Sequence, residues 1–156
     1  MKDQKFYDDV LSRSFKKLIT STWAEATLQG LQEIWDIDTQ HSWATAGYQG
    51  AINSGQTTCG LLIGSAVAIG LRCGKGKDCI PKEDEEYRNI AVKEVNSLYK
   101  DFISKFDSTN CKDLIMCDFS KPEDLKKYVE KEVYKEKCFV FFNFVMNRFI
   151  EIEKQK

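Results

Sequence analysis

The sequence predicts an all-α fold: a single-domain helical bundle of about five to seven helices around a central apolar, glycine-containing helix. Three observations lead there. Only two prolines occur, Pro81 and Pro122, so long helices can run unbroken. Apolar residues recur three and four apart along most of the chain, the period of a helix with one buried face. Thr, Asn and Ser stand ahead of several of these runs with a carboxylate three residues on, the spacing of helix N-caps.

The first helix is predicted from Asp3 to Ile19, with Tyr7, Val10, Leu11, Phe15 and Leu18 on its inner face. Thr22 and Glu25 have capping-box spacing and open a second helix, where Trp23, Thr27, Leu31 and Ile34 fall on or near one face. From Asp36 to Gln56 the pattern dissolves into loop formers, among them Asp36, Asp38, Gly47, Gly50, Asn53 and Gly55. A loop of that length in a small helical domain is often functional.

Thr57 or Thr58 caps a third helix, Cys59 to Leu71, which is apolar almost all round and therefore central. Gly60, Gly64 and Ala68 form a smooth stripe along it. Each glycine costs ~1 kcal/mol of helix stability relative to alanine. A neighbouring backbone or a flat cofactor is therefore expected against Gly60 and Gly64. Gly74 to Lys82 reads as a turn-rich connection with Cys73 and Cys79 at or near its ends.

A long helix from Glu83 to Phe106 follows, with Tyr87, Ile90, Ala91, Val95, Leu98, Phe102 and Phe106 on its apolar face. Asn110 and Asp113 have N-cap spacing, which puts Cys111 in the first turn of a short helix. Ser120 and Glu123 form another capping pair, with Pro122 tolerated in that first turn. The last helical region runs to Glu153, as one helix or as two with a break near Lys135. Its core face is Cys138, Phe141, Phe142, Val145, Phe149 and Ile152.

The chain has 156 residues, 42% of them hydrophobic, which suits one domain with a real core. Its 23 basic and 24 acidic residues leave a net charge of -1, mixed along the chain as solvated helix faces are. No basic field is available for phosphate, which argues against general nucleic-acid binding. The N-terminal residues run directly into a charged amphipathic segment, so no signal peptide is expected. The most apolar run, Cys59 to Leu71, is shorter than the ~20 residues a membrane-spanning helix needs. A cytoplasmic protein with no membrane span is expected.

In a reducing compartment, the six cysteines are core thiols, metal ligands or redox groups rather than structural disulfides. No CxxC pair occurs, so any metal site has to be assembled from separate helices. Cys59 and Cys111 fall in first turns, where the helix dipole and free N–H groups lower a thiol pKa. Cys138 faces inward on an aromatic-rich helix. These three are the candidate metal or redox thiols; spacing alone leaves inert packing as the other reading. Cys73, Cys79 and Cys117 lie in or beside loops and read as incidental, with Cys73 and Cys79 in reserve as substitute ligands.

Other candidates are weaker. His41 is the only histidine, which removes a His-rich site and leaves a thiol nucleophile without an evident base. Asp36 and Asp38 suit a cation or a turn equally well. Trp23, Trp35 and Trp43 fill core or interface space more often than they stack on a ligand.

At Cys59-Gly60-Leu61-Leu62-Ile63-Gly64 the chain resembles the C_GCAxxG_C_C family of redox-active proteins, whose motif lies on an apolar helix with three further separated cysteines. Gly47 to Gly60 is similar to the family's glycine-rich loop, Ser65 to Gly74 to its small-residue helix, Cys111-Lys112-Asp113-Leu114 to its next cysteine segment, and Cys138 to its last cysteine. The resemblance covers most of residues 20 to 145. Two departures stand out: the motif alanine is Leu61, and Trp23, ahead of Ala24-Glu25-Ala26-Thr27-Leu28, stands where the family has its first cysteine.

The resemblance implies a helical redox-active or metal-binding protein with an electron-transfer or accessory role, and a redox partner protein. Four convergent thiolates suit an iron–sulfur cluster or another thiolate-bound metal. With Trp23 in place of one thiol, Cys73 or Cys79 substitutes, a coordination position stays open, or the metal is lost. In the last case the chain is a protein-interaction or scaffold module with a degenerate, metal-free cysteine site. A homodimer is a general expectation for a small helical protein rich in aromatic residues.

Overall fold

A computed structural model describes residues 2–18, 20–37, 39–55, 57–74 and 85–155. Eight α-helices occur among them: α1 Gln4–Lys17, α2 Trp23–Ile34, α3 Tyr48–Asn53, α4 Gly60–Gly74, α5 Glu85–Phe106, α6 Cys111–Ile115, α7 Pro122–Glu130 and α8 Phe139–Lys154. A 3-10 segment, Thr39–Thr45, precedes α3, and a π-turn, Tyr134–Cys138, leads into α8. No strand occurs among the described residues. The fold class is all-α, with more helices than the five to seven expected.

The extra elements come from the stretch expected to be a long loop. Between Asp36 and Gly55 the chain is wound into the 3-10 segment and α3. Its glycines hide the helical period without preventing short helical turns. The connection after Gly74, with Cys79 and Pro81, lies outside the described residues, as do Ile19, Asp38, Gln56 and Glu83.

The central pair is α2 against α4. The capping box predicted at the start of α2 is present: the Glu25 N–H donates to Thr22 Oγ1 at 3.2 Å, and the Thr22 N–H donates to the Glu25 carboxylate at 3.1 Å. On α4, Leu61, Leu62, Ala68 and Ile69 are buried. A Cβ at Gly64 would strike the carbonyl oxygen of Ala24, and one at Gly60 would lie 3.3 Å from the Ala24 amide nitrogen. The glycine stripe is therefore the seat of α2, and it fixes the start of α2 beside the start of α4.

Helices α5 and α8 close the other side through Leu98, Phe102, Phe142, Val145, Met146 and Phe149, all buried. Arg72 of α4 stacks over Trp35 at 4.2 Å and pairs with Glu94 of α5, with Glu153 of α8 at 3.8 Å. Three expected core positions turn outward: Tyr87 and Ile90 are each 41% exposed and Ile152 is 37% exposed. The helical period places them on the apolar face, and the structure leaves them partly open to solvent.

Two ends differ from expectation. Ser120 does not cap α7; its hydroxyl donates to Asp118, and Lys121 takes the cap position without a side-chain bond. The break before α8 falls at Glu132, which has φ 49°. None of the described helices is long and apolar enough to cross a membrane.

Candidate functional site

One backbone contact organises the cysteines. Thr58 and Asn110 form an isolated antiparallel bridge, in which the Cys59 N–H donates to the Thr109 carbonyl at 2.7 Å and the Cys111 N–H to the Thr57 carbonyl at 2.9 Å. Residues that flank such a bridge diagonally share a face, with Cα atoms ~7–8 Å apart. Cys59 and Cys111 are in those positions, each at the entry to a helix. Asn110 caps α6 by accepting from the Lys112 N–H at 3.0 Å, as its spacing predicts. Around the bridge, the Tyr48 hydroxyl donates to the Thr58 carbonyl at 2.7 Å and pairs with the Thr57 hydroxyl.

Cys138 reaches the same place from the π-turn. That turn is docked on α6, where the Lys137 ammonium donates to the Leu114 carbonyl at 3.4 Å. Cys59, Cys111 and Cys138 all line a single cavity of about 670 Å³. Its remaining wall is chiefly apolar and aromatic, including Phe15, Trp23, Phe119 and Tyr128. Trp23 thus borders the three thiols. Its indole N–H donates to the Tyr128 hydroxyl at 3.2 Å, and that hydroxyl lies 3.5 Å from the Cys138 sulfur.

The thiols hold their protons. Burial, then the charge of Cys111, push the Cys59 thiol well up, and N–H donation from Leu61 and Leu62 only partly offsets this. Cys111 is pushed up to about 12 by burial, then by Cys138 and Cys117. Cys138 is pushed up to about 11, chiefly by burial; the Tyr128 hydroxyl works the other way and Cys117 adds to the rise. The helix-start effect expected from the sequence is present at Cys59 but is outweighed, because desolvation of a charge is the larger effect in an apolar cavity. Tyr128 is likewise raised, by burial and then by Cys138.

Sequence reasoning passed over Cys117. It is only 2% exposed and close enough to Cys111 and Cys138 for its charge to raise both. With Cys111 it lines a recess of about 10 Å³ behind the main cavity. Met116, in the left-handed conformation at φ 57°, ends α6 and turns the chain so that Cys117 comes back inward. Nothing local in the sequence announces that turn, since methionine seldom adopts it.

The other candidates lie elsewhere. Cys73 is half-buried at the end of α4, where Arg72 and Glu94 act on it, and it does not line the cavity. Cys79 is outside the described residues. Gly60 lines the cavity as well as meeting Ala24, whereas Gly64 is taken up entirely by the Ala24 backbone. His41 is exposed, Asp36 is exposed at a left-handed turn, and Trp43 is 79% exposed.

In kind, four thiols suit an iron–sulfur cluster or a soft metal ion. Among the described residues, however, no three His, Cys, Asp or Glu side chains are grouped so as to hold a metal ion. The donor set fits such a group in chemistry.

No curated protein and no solved structure matches the chain. A family model described as "Putative redox-active protein (C_GCAxxG_C_C)" matches residues 23–152, beginning at the tryptophan that borders the cavity and taking in all four clustered cysteines. That span is well over half of the sequence, and the chain belongs to the C_GCAxxG_C_C family.

Proposed function

We propose that the chain is an electron-transfer or accessory redox protein working through Cys59, Cys111 and Cys138, joined by Cys117. Two thiols give up two protons and two electrons as an S–S bond forms, and a reductant reverses the step. The observation that carries this reading is the shared cavity, which Cys59, Cys111 and Cys138 all line. Cys111 is the hub, since Cys59, Cys117 and Cys138 all interact with it. Among the described residues, no acid–base pair of the kind a stand-alone hydrolase needs lines the cavity.

A second reading, a thiolate-bound metal or iron–sulfur cluster, is favoured by three thiols lining one cavity, since a bound cation would draw off their protons and hold the thiolates. It requires the sulfurs to draw closer together. The scaffold reading has its own motive in the tryptophan at position 23.

The deciding experiment is anaerobic purification followed by iron, sulfide and zinc analysis. Free thiols are then counted by alkylation and mass spectrometry before and after mild oxidation. The redox reading expects reversible loss of two thiols from the cavity set, abolished in Cys111→Ser. Stoichiometric metal lost in Cys59→Ser, Cys111→Ser and Cys138→Ser would transfer support to the second reading. Metal-free protein whose cavity thiols do not cycle would leave the scaffold.

A further inference from the structure

We propose that the thiol cavity binds a neutral, planar, quinone-type molecule that accepts the electrons of the thiols; this rests on the redox reading above. The cavity's volume, about 670 Å³, falls in the range of ~300–1,000 Å³ usual for small-molecule sites. Rings form much of its wall: Phe15 lies against Trp23 with centroids 6.3 Å apart, and Phe119 against Tyr128 at 4.8 Å, edge to face. Such walls suit a flat ring system.

Charge narrows the class further. Among the described residues, Lys135 is the only charged one in the lining, and it pairs with Glu132. The phosphates of a flavin or nicotinamide cofactor, or the carboxylates of glutathione, would find no free cation among the described lining residues. A quinone and its quinol are both neutral, so neither form requires one. The mouth agrees: Leu125 and Val129 of α7 line the cavity yet are 47% and 59% exposed, an apolar threshold open to solvent.

The step balances. Cys111 and Cys138 lose two protons and two electrons as their S–S bond forms. The quinone takes up both protons and both electrons and leaves as the quinol. The thiol pair and the ligand are neutral before and after, which an apolar cavity favours.

The test uses the full chain and a naphthoquinone methylated at both open quinone-ring carbons, so that thiols cannot substitute there. Equilibrium dialysis is expected to give saturable binding of one molecule per chain. Val129→Trp, which fills the mouth from an exposed position, is expected to weaken binding about tenfold or more, and Leu125→Asp likewise. A sulfonated, anionic analogue should bind about tenfold more weakly than the neutral probe. Under anaerobic conditions one quinol should appear per disulfide, with mass spectrometry mapping the bond to Cys111 and Cys138. Absence of saturable binding, or binding indifferent to both mouth variants, overturns the inference. Thiols that cycle with hydrogen peroxide but never reduce the quinone overturn it while leaving the redox reading intact. Thiols inert to both overturn the two together.

Discussion

At Gly64 there is room for a hydrogen and nothing larger, because the neighbour is the Ala24 backbone rather than a movable side chain. Gly64→Ala is expected to cost ~1–3 kcal/mol by overpacking, despite alanine's better helix propensity. Gly60→Ala, with its nearest contact at 3.3 Å, should cost clearly less. Chemical denaturation of the two variants checks the order. Tyr128 offers a second residue-scale test. Its hydroxyl lowers the Cys138 thiol pKa against the effect of burial, so Tyr128→Phe should raise that pKa and slow alkylation of Cys138 at mildly alkaline pH. Mass-spectrometric labelling kinetics measure this, with half-buried Cys73 as the internal control. The sequence makes Cys59 and Cys111 legible as helix-start residues, because caps are local signals. It cannot reveal the direction of their pKa shifts, since burial depends on α2, α7 and the π-turn arriving from elsewhere in the chain.

Helix α7 differs from every helix around it in having no buried residue. It nevertheless presents Leu125, Tyr128 and Val129 to the cavity, and it is tied down by a few polar bonds: the Lys127 ammonium to the Met116 carbonyl at 3.3 Å, the Asp118 N–H to the Asp124 carboxylate at 2.8 Å and the Trp23 indole to the Tyr128 hydroxyl at 3.2 Å. Local opening is easiest where few apolar contacts hold an element. Hydrogen exchange should therefore find α7 amides protected far less than those of α4, and an apolar ligand in the cavity should slow the α7 amides selectively. Long periodic helices such as α1, α2 and α4 are read from the sequence nearly to their ends. The turns are not. Ser120 looks like a cap for α7, yet Asp118 takes its hydroxyl first, in competition decided by a backbone turn the sequence does not display. The 3-10 segment and α3 are hidden for a similar reason, being too short for a period to show.

Across the whole molecule, the buried thiols couple stability to pH and to redox state. An unfolded thiol titrates near its ordinary value of 9.0, whereas folded Cys138 and Cys111 hold their protons up to about 11 and about 12. The folded state binds more protons across that interval, so its thiol contribution is complete below pH 9.0 and drains away as pH rises through the folded values. Thermal melts should show stability falling over this alkaline window, with a shallower fall in Cys111→Ser. Oxidation acts the other way. A bond from Cys111 to Cys138 would close a loop that removes roughly 3.5 kcal/mol of freedom from the unfolded chain, less any strain in the fold. The oxidised protein should therefore melt at higher temperature than the reduced one. The fold class follows from the sequence, while the convergence of thiols from four separate segments does not, because no spacing rule links residues 59, 111, 117 and 138.

The bridge between Thr58 and Asn110 has a consequence for inheritance. It is made of amides and carbonyls, which every residue but proline supplies in full. The side chains at 57, 58 and 109 can drift over generations while the two cysteines stay in register. Proline at 59 or 111 is the exception, since it would delete a donor as well as a thiol. A lineage could thus rewrite most letters around its thiols and still pass on the same meeting of helix ends.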